Sequence, residues 1–195
     1  EADEIYADIV AALSPKVLAG TKLLITAGPT YEAIDPVRGI TNRSSGKMGY
    51  AIAQAAREAG AEVILVSGPV ALPCPRGVRR LSVQSAQEML AAVQAEVAGC
   101  AIFIAAAAVA DWRVANAASQ KLKKDGSGRP PALEFTENPD ILATIAASAA
   151  AQSGQLYCVG FAAESENLEA HAKAKRARKG VPLLVGNIGP ATFGQ

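Results

Sequence analysis

The chain holds one histidine, His171, and only three cysteines, Cys74, Cys100 and Cys158, spread far apart along 195 residues. It has no C-x-x-C pair and no His/Cys cluster, so neither a zinc site nor a disulfide framework is expected. Cys100 and Cys158 lie in or beside apolar segments and are expected in the core, where free cysteines are often found. A reducing, cytoplasmic setting fits that usage. Aromatic residues are scarce, 5% against 50% hydrophobic overall. The core must therefore come from Ala, Val, Leu and Ile, which suits helices packed on a buried sheet. Neither sign of charge dominates: 19 basic and 18 acidic residues leave a net of +1. That balance supplies no long-range field for DNA or an anionic membrane, and neither partner is expected. Long apolar runs are also missing. The longest, Ala101 to Ala110, has ten residues, and spanning a bilayer takes about 20. The acidic opening Glu1 to Glu4 is not followed by an apolar stretch of the signal-peptide kind. A soluble protein is expected.

Apolar runs alternate with helix-length segments along most of the chain. Asp3 to Leu13 places Ile5, Ile9 and Leu13 on one face of a short helix that stops at Ser14-Pro15. Lys22 to Ala27, Ala61 to Ser67, Ala101 to Ala105, Gln155 to Gly160 and Pro182 to Gly186 read as strands. Gly49 to Gly60, Ser85 to Val97, Asn138 to about Ala151 and Glu166 to Lys179 read as helices. Asn138 is expected to cap its helix, with Pro139 in the first turn and Asp140 complementing the dipole. The strands are continuous apolar runs rather than alternating ones, so both sheet faces are covered. The expected fold is α/β: a doubly wound, mostly parallel sheet in a Rossmann-like three-layer sandwich. Such sheets bind ligands at the carboxyl ends of their strands. The loops to inspect are therefore Gly28 to Gly49, Ala106 to Pro131, Phe161 to Glu166 and the turn after Val185. Asp125 to Pro131 reads as a mobile flap.

The first loop carries neither G-x-G-x-x-G nor the P-loop pattern. It does place Asn42, Ser44, Ser45, Gly46 and Gly49 before a helix, an arrangement suited to cradling an anion. Arg38 and Arg43 can add charge-assisted bonds. The alternative is a solvated loop that caps its helix. A second cluster, Ala105 to Ala110 followed by Asp111, offers a small-residue strand end that a flat ligand can approach. Asp111 there is either an acceptor for ligand groups or a turn cap. Lys121-Leu-Lys-Lys124 and the helix bearing Lys175 and Lys179, four apart on one face, supply cations. Both basic stretches also suit a solvated surface. Together these features describe phosphate binders with little acid–base equipment, so positioning and charge stabilisation are the expected chemistry.

Eight stretches, in order from Lys22 to Asn187, resemble one family. They are Ile25-Thr-Ala-Gly-Pro-Thr30, Asp35-Pro-Val-Arg38, Asn42-Arg-Ser-Ser-Gly-Lys-Met-Gly49, Ala106-Ala-Ala-Val-Ala-Asp-Trp-Arg113, Lys121-Leu-Lys-Lys124, Asn138-Pro-Asp-Ile141, Val159-Gly-Phe-Ala-Ala-Glu164 and Lys175-Arg-Ala-Arg-Lys179. The family is the bacterial phosphopantothenate–cysteine ligase, the C-terminal half of a bifunctional flavoprotein. The resemblance implies a CTP-dependent ligase of coenzyme A biosynthesis that joins 4'-phosphopantothenate to cysteine through an acyl-cytidylate. It implies catalytic roles for Asn42 and Lys121, and phosphopantothenate contacts from Arg38, Asn42 and Ala108. The implied CTP site is Ala105, Ala106, Ala107, Asp111, Lys121, Pro139, Asp140, Ile141, Leu142, Phe161, Lys175 and Lys179. Magnesium is expected on the triphosphate and not in a protein cage, with FMN only on the N-terminal half. A homodimer is implied, with Leu133 to Thr136 as an exchanged element. Residues 1–21 then read as a linker helix from a missing domain, and 22–195 as a ligase domain truncated at its end. One departure is Asn187-Ile188, where the family often has Asn-Asp. The competing expectations are a nucleotide-binding module without turnover and a purely structural partner of the flavoprotein half.

Overall fold

The computed structural model describes residues 2–124, 126, 128–164 and 166–188. Asp125 and Ser127 of the expected flap, and the expected truncation at Phe193 to Gln195, lie outside them.

A six-stranded parallel sheet organises the chain. After helix α1 (Ala2–Leu13) come strand β1 (Lys22–Ala27), the short strands β2 (Tyr31–Ala33) and β3 (Gly39–Thr41), helix α2 (Lys47–Glu58), strands β4 (Glu62–Ser67) and β5 (Arg79–Ser82), helix α3 (Ala86–Glu96) and strand β6 (Ile102–Ala105). The remainder is strands β7 (Trp112–Val114) and β8 (Phe135–Glu137), helices α4 (Ile141–Ala146) and α5 (Ala149–Gln152), strand β9 (Tyr157–Glu164), helix α6 (Leu168–Lys179) and strand β10 (Leu183–Ile188). The sheet order is β10-β9-β6-β1-β4-β5, with every pairing parallel. This is the doubly wound Rossmann order, and its switch point falls between β1 and β6. β2 with β3 and β7 with β8 form two small antiparallel ribbons outside it.

Alternate residues of the central strands feed two cores, as a sheet covered on both faces requires. Leu24, Ile64, Val66 and Phe103 face one way, with Met89 and Val93 of α3 and Ile141, Leu142 and Ile145 of α4. Leu23, Ile25, Val63 and Leu65 face the other way, under Tyr50, Ala53 and Ala56 of α2. Cys100 and Cys158 are buried as expected. Burial pushes both thiols up, which leaves them unsuited to act as nucleophiles near neutral pH. α1 lies against α2, with Ala11 buried and Lys16 Nζ donating to Glu58 O at 2.8 Å. Among the described residues no helix is long and apolar enough to cross a membrane.

Five expectations about elements need correction. β5 is a sixth sheet strand that the apolar-run pattern missed, because Arg79-Arg-Leu-Ser82 is a polar, largely exposed edge. Pro69, Pro73 and Pro75 exclude a helix from the connection leading to it. The Gly28 to Gly49 loop contains the β2–β3 ribbon. The helix expected from Asn138 to Ala151 breaks at Ala147, and Ser148 caps a separate short helix. Phe161 lies inside β9, not in a loop, and β10 runs past Val185 to Ile188.

The end of β1 is held by close backbone approach. A Cβ on Gly49 would lie 2.5 Å from Ala27 Cβ, and one on Gly46 would lie 3.3 Å from Gly28 Cα. A Cβ on Gly68 would overlap Pro29 O outright. Gly68→Ala should therefore force backbone movement at Pro29. Overpacking of this kind costs roughly 1–3 kcal/mol and should lower Tm by roughly 2–12 °C. A melting curve superimposable on that of the unaltered protein would show that the two segments can separate freely.

Candidate functional site

Pairing between β1 and β6 continues past the ends of both strands. Ala106 N donates to Thr26 O at 3.2 Å, Ala108 N to Gly28 O at 2.9 Å, and Thr30 N to Ala108 O at 3.2 Å. The buried Thr30 hydroxyl oxygen accepts from Ala110 N at 2.9 Å. Gly28-Pro29-Thr30 therefore closes the switch point instead of opening it. Residues 106–110 become a fixed wall with one side toward β9 and the other toward the first loop.

On the β9 side lies a cleft of about 330 Å³. Ala105 and Ala107 line it at the end of β6, and Phe161 borders it from β9. Asp111, Pro139, Asp140, Ile141 and Leu142 line it, as do Lys175 and Lys179 from α6. Of the residues expected to hold nucleotide, ten meet there. Ala106 and Lys121 do not. Thr26, Val109, Ala110, Glu137 and Asn138 join the lining without having been expected.

The cap expected of Asn138 is made by Asp140 instead. Asp140 is the N-cap of α4, its Oδ1 accepting from Ala143 N at 3.0 Å, while its Oδ2 pairs with the Lys179 ammonium. Asn138 caps nothing. Its Nδ2 donates to Ala110 O at 2.8 Å, and its backbone N–H donates to Asp111 O at 2.8 Å. It thus fastens the 110–111 turn to the entry of α4 and makes one wall from two distant segments. Asn-Pro-Asp fits two alternative caps, and the sequence does not choose between them.

On the opposite side of the 106–110 wall, Asn42 Nδ2 donates to Ala108 O at 3.1 Å and to Val109 O at 3.0 Å. Two carbonyl partners require the NH₂ end there, so the amide oxygen points away from the wall. Ala108 is a backbone junction whose carbonyl takes both Thr30 N and Asn42 Nδ2. The expected anion cradle is only partly open. The Ser44 hydroxyl accepts from Gly46 N at 3.3 Å and the Ser45 hydroxyl from Lys47 N at 3.4 Å, while Gly49 is buried against β1. The α2 N-cap is Gly46, at φ 77°, with no side-chain cap.

The Arg38 guanidinium is engaged with Asp35, a residue that was not singled out. Arg38 Nε lies 3.0 Å from Asp35 Oδ2, which also accepts from Leu122 N at 3.1 Å. Asp-Pro-Val-Arg has the form of an Asx-turn, a signal that could have marked Asp35. The Arg38 guanidinium holds the Asp35 carboxyl well below the usual carboxylate range, aided by the N–H groups of Val37, Leu122 and Arg38 and opposed by burial. Among the described residues no group of three or more His, Cys, Asp or Glu is arranged to hold a metal ion.

The sequence profile of the DNA/pantothenate metabolism flavoprotein C-terminal domain matches residues 18–194. The chain belongs to that family. The bifunctional coenzyme A biosynthesis protein CoaBC of Vibrio cholerae is 51% identical over 174 residues, covering 89% of this chain and 43% of that protein. CoaBC of Escherichia coli is 50% identical over 180 residues, 91% of this chain and 44% of that one. The chain thus spans less than half the length of these relatives. The crystal structure of a CoaBC C-terminal domain superimposes with a TM-score of 0.76 at 43% identity, covering 88% of this chain and 79% of that one. A Cab2 variant in complex with phosphopantothenate-cysteine shares the fold at a TM-score of 0.71 and 19% identity, over 94% and 76% of the two chains.

In this flavoprotein C-terminal domain, Asp140→Ala should cost about 0.5–2 kcal/mol through the lost cap. Asp140→Asn should recover most of that in thermal melts, because an amide oxygen still caps. Equal destabilisation by both would show that the Lys179 pair, not the cap, holds α4. Asp35 predicts a pH effect. Its folded pKa is depressed, so its contribution is present above the unfolded value of about 4 and is lost as pH falls from there toward the folded one. The Tm gap between the unaltered protein and Asp35→Asn should be widest near neutrality and narrow below about pH 4. A gap independent of pH would exclude the ionised carboxylate as its source.

Proposed function

We propose that this domain joins 4'-phosphopantothenate to L-cysteine in coenzyme A biosynthesis, using CTP and releasing CMP and pyrophosphate. The observation that carries the reading is the 106–110 wall. On one face it borders a cleft with two lysines, small-residue strand ends and Phe161; on the other it holds Asn42 by two hydrogen bonds. The identity to CoaBC proteins supports the same reading.

In the first half-reaction the phosphopantothenate carboxylate attacks the α-phosphorus of CTP and pyrophosphate leaves. In the second, the cysteine amine attacks the acyl carbon, CMP leaves and a proton is released. Neither half requires a protein nucleophile, in keeping with two buried cysteines whose thiols are pushed up. Lys175 and Lys179 hold the triphosphate within the cleft, and Lys121 reaches it from outside the cleft lining. Ala105 and Ala107 admit the nucleotide against the backbone. Asn42 stands beside the acyl group with its amide oxygen free to accept from the cysteine amine. Magnesium would enter with the triphosphate, where it would offset the phosphate charge alongside Lys175 and Lys179. Residues 1–21 link the domain to a flavin-binding half that carries FMN. The protein works as a cytoplasmic homodimer, built through the β7–β8 ribbon and residues Leu133 to Thr136. The exposed Trp112 and Phe135 of that ribbon support this part of the proposal.

Purified protein with magnesium should release pyrophosphate only when CTP and phosphopantothenate are both present, and should form the amide when cysteine is added. Absence of pyrophosphate with CTP and with ATP would overturn the proposal. Asn42→Asp should impair amide formation more than activation, so that acyl-cytidylate accumulates. Equal loss in both halves would reduce Asn42 to a clamp on residues 108–109.

A further inference from the structure

Lys121 sits on an exposed segment without regular secondary structure. A lysine on a four-carbon stem contributes little to a site unless its backbone is held, because ordering it costs entropy. The structure shows what holds this one. Leu122 N donates to Asp35 Oδ2 at 3.1 Å, and Leu122 O accepts from an Arg38 guanidinium nitrogen at 2.8 Å. The Asp35 side chain is fully buried. Its Oδ1 accepts from Val37 N and Arg38 N, each at 2.9 Å, which completes a local turn. Its Oδ2 accepts from Arg38 Nε at 3.0 Å, Arg38 Nη2 at 2.5 Å and Leu122 N. The turn needs only the first oxygen. The second spans 87 residues of sequence to reach the lysine segment. A carboxylate so enclosed has no capacity left for a ligand, so its contribution passes through the groups it holds.

We propose that Asp35 is a positioning residue: it locks the backbone beside Lys121 to the Arg38 turn and so presents the Lys121 ammonium to the nucleotide phosphates. This rests on the assignment of Lys121 to phosphate binding made above. Buried charge that bridges two chain segments is costly to leave half-paired, so the Arg38 turn and the lysine segment stay or separate together.

Two variants test it in the full chain. Asp35→Asn keeps an oxygen for the turn N–H groups but turns an NH₂ toward Arg38 and Leu122. Leu122→Pro removes the Leu122 N–H and leaves Asp35 and Arg38 intact. Because it also fixes φ and removes the leucyl side chain, Leu122→Ala, which keeps the N–H, serves as its control. That control should leave both cleavage and kcat/KM near their original values. Asp35→Asn and Leu122→Pro should each speed tryptic cleavage after Lys123 and Lys124 of the folded protein by roughly tenfold, as local opening becomes easier. The Lys121 bond is left out because trypsin does not cut before proline. Each should also lower kcat/KM for CTP by roughly tenfold, one charge-assisted contact's worth, while leaving KM for cysteine near its original value. Combined with Lys121→Gln, Leu122→Pro should cause no further loss in kcat/KM for CTP, since it acts through the same ammonium. Asp35→Asn, which also frees Arg38, should add only a rise in KM for phosphopantothenate. Losses in kcat/KM for CTP that multiply with Lys121→Gln, or a cleavage rate unchanged in both variants, would overturn the proposal. If the unaltered protein releases no pyrophosphate, the ligase reading fails on its own. The digestion still decides whether Asp35 holds the segment.

Discussion

The continuation of β1–β6 pairing beyond the sheet is the constraint on which the site depends. Four hydrogen bonds, made by Ala106, Ala108 and Ala110, bind the chain after β6 to Thr26, Gly28 and Thr30 in register. In a doubly wound sheet the switch point is the usual opening for a ligand. Here it is filled by backbone, and the opening is displaced by one strand, toward β9. The close glycine contacts at Gly28, Gly46, Gly49 and Gly68 serve the same end, since each lets one main chain lie against another where a Cβ would separate them.

That closure turns one strand extension into a partition. The β9 side presents cations, a phenyl ring and bare strand ends; the Asn42 side presents an amide oxygen aimed away from the wall. A reaction in which two anionic ligands must meet benefits from such a divider. Each ligand would lie on its own surface, with the reacting groups meeting at its edge.

The sheet was legible because β1, β4, β6 and β9 are apolar runs separated by helix-length segments, the mark of strands covered on both faces. β10 showed as an apolar run although it is a largely exposed edge. β5 was not, because an edge strand with two arginines carries no such mark. Most of the cleft was legible through the ordered motifs of the family resemblance, which implied Ala105, Asp111, Pro139 and Lys179. Roles that depend on partners were not. Asn138 and Asp140 are both good caps, and only the position of Ala110 O and of Lys179 decides which one caps. Asp35 was passed over for the arginine beside it, since burial of a carboxylate depends on Leu122, a residue far away in sequence.

Asp140 also acts as an internal counterion. The Lys179 ammonium, largely shielded from solvent, already rests against a carboxylate before any ligand arrives. A neutralised cation exerts little pull at a distance, so the cleft does not attract every passing anion. To gain Lys179 an incoming group must outcompete Asp140, which one weakly charged oxygen does poorly and a polyphosphate, offering several charges to Lys175 and Lys179 together, does well. The Asp140–Lys179 pair would thereby favour highly charged ligands without any change in the shape of the cleft.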